Sequence, residues 1–201
     1  MNAYIFRTLI FVASMVLVNT ETYAQKLKFL VPDVAILQHA GSIGYVSVGA
    51  GYSLFKNNRG SLDITYGFVP ESKGGELHIA ALKFAYRPFE IKVKDWARIY
   101  PLNPGVFISY TFDYALSFNF NTVQYEKGYY YWSEAARPHL ACSNEIEFNA
   151  KKILGDSKIK KLALYTEFNA NDYYLVNYFQ NAKTIGLDEI FMLGIGVKAK
   201  F

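Results

Sequence analysis

His39, His78, His139 and Cys142 are the strongest metal-ligating side chains in the chain, and they are scattered singly. No two histidines stand in an HxH or HxxxH relation, and one cysteine cannot build a thiolate cluster. The spacing therefore argues against a zinc site, structural or catalytic, and no residue pattern calls for a cofactor. One stretch does gather a base, a hydroxyl and an acid: His139-Leu140-Ala141-Cys142-Ser143-Asn144-Glu145. On an extended backbone His139, Ser143, Glu145 and Glu147 project to the same side. Four residues of strand nevertheless cover about 13 Å, whereas proton transfer between a serine and a histidine needs about 3 Å. His139 and Ser143 cannot touch within one regular strand.

The other charged residues suggest a structural arrangement. Asp63, Lys83, Arg87, Glu145, Glu147, Glu167, Lys198 and Lys200 all fall on the small, polar side of alternating segments. Gathered into a narrow interior they must pair with one another, because unpaired buried charge is costly. Recognition chemistry concentrates elsewhere. Tyr129-Tyr130-Tyr131-Trp132 lies in a long connection at 114–136, and Asp172 and Tyr173 lie in another at 170–187. Tyrosine and tryptophan beside Asn and Ser make a binding-surface composition. The same rings also suit an interfacial belt.

The elements that would position these groups are strands. In the last strand, Asp188 to Phe201, the alternate residues Phe191, Leu193, Ile195, Val197, Ala199 and Phe201 are apolar, with Gly194, Gly196, Lys198 and Lys200 between them. The same period of two runs through Val46–Leu54, Leu62–Phe68, Val106–Phe112 and Leu162–Phe168. It marks strands with one apolar face. Three further strands are less regular. Residues 29–38 contain Pro32, which implies an edge or an early bend. Residues 76–87 change phase, which implies a bulge near Ala80–Ala81. Residues 138–149 carry Asn144 on an otherwise apolar face. Eight strands result, with short turns alternating with long loops. Residues 88–103 break that alternation, and Lys92, Lys94 and Trp96 are expected to form additional structure there.

Residues 1–24 read as a cleaved signal peptide. Arg7 precedes an apolar stretch from Leu9 to Val18, and Thr22-Tyr23-Ala24 offers a cleavage site before Gln25. That stretch is too short to span a bilayer as a helix. Residues 25–201 then form one domain. Aromatic residues are 17% of the chain, while mean hydropathy is only +0.05. Aromatic richness without a long apolar run fits a protein that crosses a membrane with strands. A net charge of +4 without a basic run excludes a nucleic-acid footprint.

Taken together, the signal peptide, the eight alternating segments and the terminal Phe201 resemble the small outer-membrane β-barrels of Gram-negative bacteria. The resemblance implies an all-β, antiparallel transmembrane barrel with outer-membrane lipid around it. It also implies that Phe201 is the assembly signal read by the barrel-assembly machinery. A structural or surface-recognition role through the external loops follows. The His139–Glu145 stretch is loosely similar to the His-x-Ser-Asn motif of outer-membrane lipid A deacylases, with a spacing two residues longer. That resemblance implies an alternative, a lipid acyl hydrolase using His139, Ser143 and Glu145. In a further alternative, a soluble exported barrel or sandwich, the apolar faces point inward around a small apolar ligand.

Overall fold

Alternation along each segment is what closes this chain into a barrel. The computed structural model describes residues 31–116, 118, 133–155 and 157–201. The strands are β1 (Val34–Ala40), β2 (Val46–Leu54), β3 (Gly60–Val69), β4 (Leu77–Tyr86), β5 (Ile91–Val93), β6 (Ala97–Phe112), β7 (Ala136–Asn149), β8 (Lys161–Asn171) and β9 (Met192–Lys200). Every pairing is antiparallel. Neighbours run β1–β2–β3–β4–β6–β7–β8–β9, and β9 returns to β1. Eight strands therefore close the cylinder, and the ninth, β5, is a short addition paired to the first residues of β6. Closure leaves the eight barrel strands without a free edge.

The two faces are reversed from those of a soluble barrel. Val48, Ile64, Leu82, Ile108, Leu140, Leu164 and Ile195 are exposed, each at 48–56%. Their neighbours Ser47, Asp63, Thr65, Lys83, Ser109, His139 and Glu167 are buried. The soluble alternative with apolar faces inward is thereby overturned. Small residues make the narrow interior possible: a Cβ on Gly196 would lie 2.5 Å from the Tyr165 ring. Aromatic side chains gather at both rims. Phe55 packs edge-on to Tyr86 and Trp96 stacks on Phe148 at one end, with Tyr66, Phe68 and His78 clustered at the other.

Several elements depart from the sequence reading. The chain bends at Val31 and Asp33 around Pro32 before β1 begins at Val34, and β1 is no edge, since it pairs with both β2 and β9. Strand β4 has no bulge, because its register with β3 is continuous from Leu77 to Tyr86. The apparent phase change arises because Ile79 faces inward into a small apolar layer with Ile43, Ala81 and Phe107. Apolar residues on both faces imitate a slipped register there. The irregularity lies instead in β6, between Tyr100 and Asn103, where Leu102 adopts φ 52°. Asn144, the polar intruder of β7, accepts a 3.0 Å hydrogen bond from the Leu102 N–H at that bulge.

The connection after β4 is shorter than 88–103, because β6 extends down to Ala97 and pairs with β5 as a hairpin. Lys92, Lys94 and Trp96 do belong to this extra structure. Two long connections share the end opposite the C-terminus. One lies between β6 and β7. The other carries helix α2 (Asp172–Gln180) and the helical turn α3 (Leu187–Ile190), α1 being Lys151–Leu154 in the β7–β8 connection. Asn171 caps α2, its side chain accepting from the Tyr174 N–H at 2.9 Å. Residues 188–190, expected in the last strand, are helical instead, with two acids in the first turn.

Candidate functional site: the lumen and its two mouths

Strand parity delivers the eight charged residues singled out above to one interior. Lys83 bridges to Glu167 at 2.6 Å, and Lys198 to Asp63 at 2.7 Å. Nearer the C-terminal end, Arg87 meets Glu145 at 3.0 Å, and Lys200 reaches both Glu145 at 2.6 Å and Glu147 at 2.7 Å. The expected set of paired charges is what the fold assembles, four acids against four bases. Uncharged partners complete it. Gln38 accepts from Lys83 at 3.2 Å and from the Tyr165 hydroxyl at 2.8 Å. The Lys83 ammonium also stands 5.1 Å from the centre of the Phe107 ring.

The lumen is filled in layers. A mouth of about 320 Å³ opens at the end holding the C-terminus, where Arg87, Tyr100, Glu147 and Lys200 line it. Behind the ion pairs, a void of about 20 Å³ remains among Asp63, Lys83, Tyr165 and Glu167. That is room for about one water, which Asp63 Oδ1 and Thr65 Oγ1, without protein partners among the described residues, are placed to hold. Beyond it, Ile43, Ile79, Ala81 and Phe107 pack as the apolar layer.

His139 does not meet Ser143. Its Nε2 is hydrogen-bonded at 2.9 Å to Ser109 Oγ on the neighbouring strand, and its ring stacks on Phe107 at 4.0 Å. Glu145 is held by Arg87 and Lys200, so His139 and Glu145 of the hydrolase alternative serve separate contacts. Sequence reading missed Ser109 because the pair joins residues thirty apart. The signal that finds it is the β6–β7 register, which sets Phe107 opposite His139 and so places Ser109 one inward position along.

Of the residues expected to bind through the loops, Tyr129, Tyr130, Tyr131 and Trp132 lie outside the described residues, as does the signal segment 1–24. Asp172 is buried at the start of α2 and reaches Arg137 at 3.4 Å. Tyr173 is exposed, with the Arg137 guanidinium 5.8 Å from its ring centre. The terminal Phe201 is half exposed, and its N–H donates to the Asp33 carbonyl at 2.9 Å, tying the two ends of the barrel sequence together. Among the described residues no group of three or more His, Cys, Asp or Glu is placed to hold a metal ion.

No family model and no curated protein matches the chain. Among solved structures, a chain described under de novo design of transmembrane β-barrels aligns over 85% of this chain and 98% of its own. The sequence identity is 14% and the TM-score 0.40.

Proposed function

We propose that the protein is a closed, non-conducting barrel of the Gram-negative outer membrane. In this reading it is exported by the signal segment 1–24 and acts in structure or surface recognition through its loops at 114–136 and 170–187. The observation that carries the reading is the inverted polarity. An exposed band of Val, Leu and Ile surrounds a buried, charge-paired interior, with aromatic residues at both rims. A surface of that kind suits contact with hydrocarbon. The eight barrel strands, 7 to 16 residues long, bracket the length that tilted strands need to cross a bilayer.

Gel mobility of the outer-membrane fraction, with and without boiling in SDS, tests the first half. A cold-stable band that shifts on boiling is expected, and a soluble periplasmic protein without a shift would end the proposal. Replacing 114–136 and 170–187 with Gly/Ser linkers tests the second half. Insertion should persist while any surface binding disappears; failure to insert would make the loops part of the fold.

A further inference from the structure

The end of the barrel that carries the C-terminus also carries a cleft beside the lumen mouth, the two sharing Glu147. Its volume is about 540 Å³, and three separate segments build it: the β5–β6 hairpin, the end of β7, and the β7–β8 connection. Lys92, Lys94 and Arg98 enter from the hairpin, and Lys151, Lys160 and Lys161 from the connection and the start of β8. Against these six cations stand two acids, Asp95 and Glu147. Glu147 is already engaged by Lys161 and Lys200 at 2.7 Å each, and Arg98 is held at 3.2 Å by Glu90. Lys92, Lys94, Lys151 and Lys160 have no ion pair among the described residues. Inside the lumen, by contrast, every one of the eight charges is paired. Four ammonium groups without an ion pair among the described residues, around one cavity that holds two acids, repel each other and favour an anion.

One wall is apolar. Trp96 stacks on Phe148 with ring centres 5.9 Å apart and planes inclined by 19°. In the ladder Phe148 stands opposite Leu162, and Ile146 opposite Leu164, so this wall continues into the outward apolar band. The cleft thus lies where the apolar surface gives way to charge. Lysines act on phosphate as point charges from several directions, and the cavity is larger than a single phosphate requires.

We propose that this cleft binds a phosphate-bearing anion, with Lys92, Lys94, Lys151 and Lys160 as its counter-ions and the Trp96–Phe148 stack as its apolar wall. The phosphate belongs either to a lipid headgroup at the membrane edge or to a soluble phosphate compound. Only the lipid source rests on the membrane reading above. The chain has two tryptophans, so a Trp132→Phe background leaves Trp96 as the fluorescent reporter. Two arms separate the sources. In the first, inorganic pyrophosphate is titrated into the protein in a neutral detergent. In the second, phosphatidylcholine nanodiscs are compared with nanodiscs containing phosphatidylglycerol.

A saturable change in Trp96 emission with pyrophosphate alone assigns a soluble ligand, and a change with phosphatidylglycerol alone assigns a lipid headgroup. A response in both arms leaves the site phosphate-selective for either. Replacing Lys92, Lys94, Lys151 and Lys160 together with Gln should weaken the response by about tenfold or more, while the boiling-dependent gel shift persists. Should that variant fail to fold, Lys92→Glu, on an exposed position of a short edge strand, must weaken it in the same direction. Silence in both arms, or a response indifferent to these substitutions, overturns the proposal. Failure to enter nanodiscs would count against the membrane reading, while the detergent arm would still decide on the cleft.

Discussion

Lys83 shows what a charge inside this barrel depends on. Its ammonium is buried, bridged to Glu167 at 2.6 Å, bonded to Gln38 at 3.2 Å and placed beside the Phe107 ring. With room for about one water beside the pair, removing one member strands the other. Lys83→Met should cost about 3–5 kcal/mol, because Glu167 is left charged and unpaired. Removing both, as Lys83→Met with Glu167→Leu, should recover most of that loss. Urea unfolding in detergent micelles, with tyrosine and tryptophan emission as the signal, measures both. A double variant as unstable as the single one would mean that the pair holds the lumen through shape, not charge balance.

Among the elements, β6 and β7 show how local chemistry absorbs an irregularity. The bulge at Pro101–Leu102 turns the Leu102 N–H away from its ladder partner, and Asn144 Oδ1 accepts it. Asn144→Leu makes the outward face more apolar, yet it should destabilise by about 1–3 kcal/mol because that donor loses its acceptor. Asn144→Asp keeps an acceptor and should restore much of the bond. The shift in urea midpoint separates the two effects. A stabilised Leu variant would show that the apolar face outweighs the hydrogen bond.

This pair also marks the limit of sequence reading. Strand β9 was legible in full parity, because every outward residue from Leu193 to Ala199 is apolar and every inward one is Gly or Lys. The lumen charges were legible for the same reason. Asn144 was legible only as an oddity, since its purpose depends on a bulge across the ladder. The β4 phase and the Ser109–His139 bond depend on residues brought together across strands, whereas the β5–β6 hairpin and α2 are local but lie in segments without a period of two.

For the molecule as a whole, the question is which solvent the outer face meets. Ile64, Leu82 and Ile108 stand side by side in register across three strands, each about half exposed and near mid-strand. Phe112 is as exposed but ends β6 at the rim. Hydrocarbon penalises charge by depth, whereas water does not. Ile64→Arg should therefore cost about 2–4 kcal/mol in a lipid bilayer, and Phe112→Arg about 0–1 kcal/mol. In water both would be nearly neutral, and Ile64→Arg would improve solubility. Reversible urea unfolding from phosphatidylcholine vesicles distinguishes these outcomes. A depth-dependent loss requires hydrocarbon around the mid-strand band, and equal, small effects would place that band in contact with another protein or with water. The lumen pairs make the comparison clean, because Asp63 and Lys83 flank Ile64 and Leu82 in sequence but face the opposite side of the wall. Arginine at position 64 thus changes the outer solvent contact and leaves the interior network intact.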